Sequence, residues 1–435
     1  MRSQRTRCAQ LSKAGPTSKR DHKAHRMGSD QSNRDNAWTM RQVIEGLPLF
    51  FIFFMWSFGS GAIQLARPLY AFEITDSIFL VAVMVSITGA ARIVAGPITG
   101  WLTDRFGRKP LMLLGAGLRG AGSLGQYFTD SYVVFIALEF IAQGGVAIFI
   151  TSASVMVSDI TTRENRGRFL AVRTLSGRFG AVAGPATGGL IATLFELRHI
   201  FLFDSITKFT IVLVVLLLIR ESRPAAVRVA RQVNDASDVP RISLRTFANR
   251  TFLALGAATV AGTVLQQGVT FSVLPVHALD NVGISAGALG GLVSVAALLG
   301  MLVAYPNGVV SDRYGRKWSL APGLLLLAFG TVLLAVSPTY AALVLAMAAF
   351  GMGEGMTVGT TQAFVMDLAP EQGRGTFLGL WSLVRSIASV AVPLVIGGLY
   401  EAAGPPAAFL AAGTWLALSA TLVIGIARET AGRRR

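Results

Sequence analysis

An all-helical membrane protein built from two matched six-helix bundles is the fold class this sequence predicts, and three observations predict it. Of 435 residues, 52% are hydrophobic and 14% charged. With a mean hydropathy of +0.57, that is more apolar surface than one or two water-soluble cores can enclose. The apolar residues fall into twelve runs, each close to the about 20 residues that a helix needs to cross a hydrocarbon layer. A charged turn also occurs twice: Gly100-Trp101-Leu102-Thr103-Asp104-Arg105-Phe106-Gly107-Arg108-Lys109 returns as Gly308-Val309-Val310-Ser311-Asp312-Arg313-Tyr314-Gly315-Arg316-Lys317, and 312 − 104 = 208 residues. A second turn keeps the same offset, with Asp159, Arg166-Gly167 and Phe169-Leu170 returning as Asp367, Arg374-Gly375 and Phe377-Leu378. Turns that repeat in register mark a doubled unit.

The elements follow in chain order. Residues 1–45 are rich in Arg, Lys, Ser and Asn without apolar periodicity, which predicts a disordered basic tail, with Met27 or Met40 as an alternative start. They hold no apolar run of the kind that makes a secretory signal. The first bundle is predicted over 46–220, with spans near 47–70, 78–103, 110–128, 132–158, 167–195 and 199–219. Residues 221–249, with Pro224, Pro240 and charges of both signs, read as a cytoplasmic linker. The second bundle is predicted over 250–428, with spans near 252–276, 285–311, 318–336, 339–366, 375–400 and 405–427, and a basic tail follows at 429–435.

The loops agree with an even number of crossings. Those after even-numbered spans carry Arg105, Arg108 and Lys109; Arg163, Arg166 and Arg168; Arg223, Arg228, Arg231, Arg241 and Arg245; Arg313, Arg316 and Lys317; and Arg374. Those after odd-numbered spans carry Glu73, Asp76, Asp130, Glu196, Asp280 and Glu401, with Arg198 as the basic exception. Lys and Arg gather on the cytoplasmic side of short loops, so both chain ends are expected there, in a multi-pass protein of the plasma membrane.

Several function classes drop out on composition and spacing. A net charge of +16 would suit nucleic acid if it were gathered on one soluble face. It is instead scattered over short loops and two tails. Cys8 is the single cysteine, and His22, His25, His199 and His277 lack ligand spacing, so neither a disulfide framework nor a metal site is expected. Gly115-x-Gly117-x-x-Gly120 spells a dinucleotide fingerprint inside an apolar span, without the strand that must precede it, and reads as helix packing. No Gly-x4-Gly-Lys-Ser/Thr phosphate loop occurs. Neither an enzyme nor a bound cofactor is predicted.

The charged turns have their own physical logic. Gly100 and Gly308 are small enough for neighbouring helices to approach, and Gly107 and Gly315 suit a tight turn. Asp104 and Asp312 are acids in a basic turn, able to face a helix N-terminus or an arginine. Arg108, Lys109, Arg316 and Lys317 can reach lipid phosphates or Asp159 and Asp367. These residues resemble the signature that follows the second span of the major facilitator superfamily, G-x-L-x-D-R-x-G-R-K. Gly100, Leu102, Asp104, Arg105, Gly107, Arg108 and Lys109 fill it, while the second copy has Val310 at the Leu position. The resemblance covers residues 46–428. It implies a secondary active transporter whose bundles rock about a midplane site, with Gly100, Asp104, Arg105, Gly107, Arg108, Gly308, Asp312, Arg313, Gly315 and Arg316 in a cytoplasmic latch. Asp159 with Arg166 and Asp367 with Arg374 resemble its E-x6-R partners, Asp replacing Glu.

On span five, Gly180, Gly184-Pro185 and Gly188-Gly189 resemble the antiporter signature of the drug/proton exporters in the superfamily, with Ala171 where their earlier glycine stands. Small residues four apart make a groove for a neighbouring helix, and Pro185 bends the span. The fourth-span signature of proton-coupled members wants an arginine where this chain has Phe140, beside Glu139.

Ionisable groups inside spans need a reason, because each costs about 2.5–3.5 kcal/mol on insertion scales. Arg92, Glu139, Arg178, Glu354 and Arg385 are candidate proton or substrate residues, Glu139 pairing with Arg178 and Glu354 with Arg385 as one alternative. Asp204 and Lys208, four apart, are expected to neutralise each other. Gln64, Gln266 and Gln267 offer hydrogen bonds toward the same cavity, with Trp56 and Phe271 as apolar contacts, and Arg119 has no evident role. The resemblance implies proton-coupled efflux of small apolar or amphipathic compounds by a monomer. The alternatives are proton-coupled import of a sugar or organic anion, with arginines neutralising the substrate, and a membrane sensor that moves nothing.

Overall fold

A computed structural model describes residues 40–161, 165–221, 250–370 and 374–429. The predicted tail up to residue 39 with Cys8, the linker residues 222–249 and the last six residues lie outside the described residues. Among the described residues twelve helices follow one another: α1 Met40–Thr75, α2 Ile78–Phe106, α3 Arg108–Phe128, α4 Tyr132–Ile160, α5 Arg166–Leu194 and α6 His199–Leu218, then α7 from Arg250 to Asp280, α8 Ala286–Tyr314, α9 Arg316–Val336, α10 Tyr340–Leu368, α11 Arg374–Ala403 and α12 Pro405–Ile426. No strand occurs among the described residues. The boundaries fall close to the predicted spans, except that α1 begins at Met40, within the stretch expected to be tail.

Ten of these helices are long and apolar enough to cross a membrane by length and composition. The other two, α3 and α5, carry Arg108, Lys109 and Arg119, and Arg166, Arg168, Arg173 and Arg178 respectively. Neighbours shield them: α3 packs on α4 and α6, and α5 packs on α1 and α8. Helix α7 is wound loosely in its middle, with Val264–Val273 forming a π-helical stretch between two α-helical ends. Wider winding of this kind shifts the direction of successive side chains and often marks a functional site.

Within the first bundle α1 lies on α5 and α6, and α2 on α4; within the second, α9 lies on α10 and α12, α8 on α10, and α7 on α11 and α12. The bundles meet along two seams, α2 with α11 and α5 with α8, while α7 also touches α1 and α2. Small residues set these distances, as they must where lipid tails give helices no hydrophobic reason to associate. A methyl group on Gly89 would stand 2.9 Å from the Ser389 carbonyl oxygen, and one on Gly189 would stand 2.7 Å from that of Ala286.

The seams are closed at one end of the molecule and parted at the other. Away from the charged turns, Glu401 on α11 accepts hydrogen bonds from the Ser77 hydroxyl at 2.8 Å and the Phe79 amide at 2.7 Å, capping the start of α2. At the charged-turn end a Cβ added to Gly96, Gly100 or Gly308 would meet no described atom within 4 Å, and Trp101 and Tyr305 are 59% and 82% exposed. The close approach expected at Gly100 and Gly308 is therefore absent here, because no neighbouring helix reaches these positions.

Candidate functional site

The two charged turns share one frame. Gly107 and Gly315 join α2 to α3 and α8 to α9 with φ of 93° and 117°, where only glycine sits without strain. Arg108 Nε lies 2.9 Å from Asp159 Oδ2, and Arg316 Nε lies 3.3 Å from Asp367 Oδ2. Arg316 also pairs with Asp312 at 2.6 Å, whereas the Asp104 and Arg374 side chains lie outside the described residues. Arg166 turns back to the end of α4, where it donates to Thr161 Oγ1 at 3.3 Å. Arg105 stacks over Trp101, its guanidinium carbon 5.2 Å from the ring centre.

Sequence reasoning missed one part of each turn. Glu221 accepts from the Arg108 and Lys109 amides at 3.1 and 3.0 Å. Glu429 accepts from the Arg316 and Lys317 amides at 2.8 and 3.2 Å. Each carboxylate thus satisfies two orphan donors at the positive end of a helix. A methyl group on Gly107 would stand 2.9 Å from Glu221 Oε2, and one on Gly315 would run into Glu429. The signal was present, since 429 − 221 = 208, the offset of the turns themselves. Both glutamates follow an arginine just beyond a span, where they look like loop charges.

On α5, Gly180, Gly184 and Gly188 face the α1 backbone at Phe54, Phe58 and Ala62, and Gly189 faces α8 at Ala286, Gly287 and Gly290. The antiporter-like pattern therefore serves two contacts, one inside the bundle and one between bundles. Pro185 has no amide hydrogen, and beside it the Ala186 amide donates to Ser294 Oγ of α8 at 2.9 Å.

Inside the first bundle the charges form a closed network. Glu139 on α4 has no exposed surface and accepts from Arg67 Nη1 and Gln143 Nε2, each at 2.7 Å, and from Gln126 Nε2 at 3.0 Å. Arg119 explains itself here: its Nη1 lies 3.6 Å from Glu139 Oε2 and its Nη2 lies 3.0 Å from Asp204 Oδ2. Lys208 completes the set, 2.7 Å from Asp204 Oδ1. Its ammonium also sits 5.0 Å above the Trp56 ring, which stacks on Phe149 in the bundle core. Two expectations change. Glu139 pairs with arginines of α1 and α3 rather than with Arg178, because it points into its own bundle. Trp56 belongs to that core, away from the cavity.

The remaining candidates line three cavities. One of about 430 Å³ runs from Arg178 and Glu354 past Asn307 to Asp312 and Arg316 at the charged turn. A second of about 440 Å³ holds Glu354 again, with Gln266, Trp381 and Arg385. The third, about 190 Å³, gathers Gln64, Arg67, Thr88, Arg92, Gln267 and Phe271 between α1, α2 and α7. Adjacent glutamines of the π-helical stretch therefore face different cavities. Glu354 touches both larger ones, and no described cation lies within ion-pair distance of its carboxylate; the expected pair with Arg385 is not formed. Among the described residues no group of His, Cys, Asp and Glu is arranged to hold a metal.

The family model for the Major Facilitator Superfamily matches residues 49–277 and 256–435. The chain belongs to this superfamily. Its members are non-enzymatic carriers of small molecules, and this chain is a multi-pass membrane transporter of that family. The tetracycline resistance protein, class C, of Escherichia coli is 26% identical over 336 residues, covering 74% of this chain and 80% of the relative. Multidrug resistance protein MdtG of Enterobacter lignolyticus is 25% identical over 332 residues, covering 75% and 77%. Among solved structures, a D-xylose-proton symporter superposes with a TM-score of 0.72 at 16% identity, covering 90% of this chain and 99% of that one. The peptide transporter POT in complex with sulfate superposes with a TM-score of 0.70 at 18% identity, covering 88% and 94%. These superpositions bear on the fold alone.

Proposed function

We propose that this transporter exports small apolar or amphipathic compounds in exchange for protons, as a monomer in the plasma membrane with both chain ends cytoplasmic. The single observation that supports coupling is the place of Glu354, an unpaired carboxylate shared by the cavity toward Arg385 and the cavity that leads to the charged turn. A carboxylate lifted out of bulk water holds a proton more readily, and gives it up when water reaches it. With the bundles parted at the charged turns, Glu354 releases its proton to water in the cavity lined by Asn307 and Asp312. In the opposite conformation it takes a proton from the other face. Substrate crosses in the return direction as the bundles rock about the midplane.

The direction is supported by relatives named for tetracycline and multidrug resistance and by the glycine-proline pattern of α5. The sidedness is supported by the Lys and Arg count of the loops. Asp104 and Asp312, with Arg108, Arg316, Asp159 and Asp367, serve as the cytoplasmic latch that closes when the bundles meet at that end. Asp104→Asn is expected to change both transport rate and the balance of inward and outward accessibility in reconstituted protein; unchanged values remove the latch. Export predicts substrate accumulation in everted vesicles with an acid interior, and its loss in Glu354→Gln with the fold retained. Uptake into right-side-out vesicles down a proton gradient would replace export with the second reading, import of an organic anion. The arginines without ion-pair partners, Arg178 and Arg385, favour that alternative.

A further inference from the structure

The cavity between α1, α2 and α7 holds more positive charge than its neighbours answer. Arg67 gives Nη1 to Glu139, but its Nε is buried without a hydrogen-bond partner. Arg92, one helix away and lining the same cavity, makes neither a hydrogen bond nor an ion pair with any described residue. Glu139 is the nearest carboxylate, and it is already engaged by Arg67, Arg119, Gln126 and Gln143. Arg119 and Lys208 take up Asp204. Within the first bundle Arg67, Arg92, Arg119 and Lys208 thus face two carboxylates, and Arg385 of α11, outside this cavity, adds its field to Arg92. Guanidinium groups held beside low-dielectric walls attract an anion strongly, and their planar forks match a carboxylate.

The rest of the wall says what the anion is attached to. Gln64 and Gln267 approach from α1 and α7 with neutral donors, while Pro68, Met84, Val85 and Phe271 supply an apolar, partly aromatic surface. A volume of about 190 Å³ admits one or two fused rings and their acidic group. We infer that this cavity is an anion site for an amphipathic carboxylic acid, its carboxylate held between Arg67 and Arg92 and its ring system against Phe271 and Met84. The inference rests on the proposed transport of a small apolar or amphipathic compound, assigns this cavity to it, and narrows it to an acid.

The test is equilibrium binding of tritiated 1-naphthoate to the full chain in nanodiscs, with empty nanodiscs subtracted. Naphthoate is expected to bind, with its neutral amide failing to displace it. Arg92→Gln is the informative substitution, because Arg67→Gln also strips Glu139 of a partner and endangers the fold. Losing a charge-assisted hydrogen bond is expected to weaken binding roughly tenfold or more in Arg92→Gln, with Arg92→Lys recovering part of it. Displacement by the amide as readily as by the acid, unchanged affinity in Arg92→Gln, or no binding above empty nanodiscs would each overturn the inference. Equilibrium binding has no direction and needs no proton gradient. A failure of export in vesicles leaves it standing, while a failure here with export intact removes only the acid.

Discussion

The two bundles end alike and are filled differently. At the charged turns the 208-residue offset carries Gly107 onto Gly315, Arg108 onto Arg316, Asp159 onto Asp367 and Glu221 onto Glu429, with the same bonds in each copy. In the interior the offset carries Arg119 onto Leu327, Glu139 onto Met347, Asp204 onto Ala412 and Lys208 onto Leu416, all four partners buried and apolar. Glu354, conversely, falls on Val146. The first bundle is tied by buried ion pairs in which cations outnumber carboxylates, whereas the second is packed by shape and keeps a lone carboxylate lining its cavities. Identical ends suit a task common to both halves, and the unlike interiors set a half braced by ion pairs against a half packed around one unpaired carboxylate.

The sharpest way to break this contrast is to cut the network at its centre. Arg119→Leu leaves Asp204 and Glu139 without their shared cation and is expected to cost about 3–5 kcal/mol. Its counterpart Leu327→Met is expected to stay below about 1.5 kcal/mol. Thermal unfolding in detergent compares the two, and equal losses would mean that the charges do not hold the first bundle. The same measurement separates the two glutamates. Glu139→Gln unbalances the buried Arg119 and the part-buried Arg67 and is expected to cost about 3 kcal/mol. Glu354→Gln removes an unpaired charge from a half-buried place, so its stability should hold or rise. A matching fall in both would put Glu354 in a structural pair.

At the turns the copies should respond together. Gly107→Ala and Gly315→Ala force a side chain into a backbone region nearly reserved for glycine, and each is expected to cost about 1–3 kcal/mol. A loss confined to one would show that the turns do different work. Smallest is the loss of a cap: Glu221→Ala and Glu429→Ala are each expected to cost about 0.5–2 kcal/mol. Combining each with the glycine change in its own turn should give less than the sum, because the alanine methyl and the carboxylate compete for one place.

What was legible in the sequence is what local chemistry dictates. Apolar runs mark the spans and the repeat marks the doubling, so helices α1 to α12 fall close to their predicted positions. The cavity residues Gln64, Arg92, Arg178, Gln266, Gln267, Glu354 and Arg385 were picked out because a polar group inside a span is costly, and each lines a cavity. Partnership was not legible. Arg119 looked idle and Glu139 looked like a cavity acid, because nothing in a linear pattern says that α1, α3, α4 and α6 turn these faces toward one another. Arg67 escaped notice near the end of a span, where basic residues are common. The π-helical winding of α7 also left no periodic trace, since it spans only ten residues.

The Ala186 amide has a consequence for movement. It lies beside Pro185 on one bundle and donates to Ser294 on the other. Should the halves separate at that end, this bond must break. Parting there is therefore more than the sliding of apolar faces, because a hydroxyl on one half and a backbone donor on the other have to let go together.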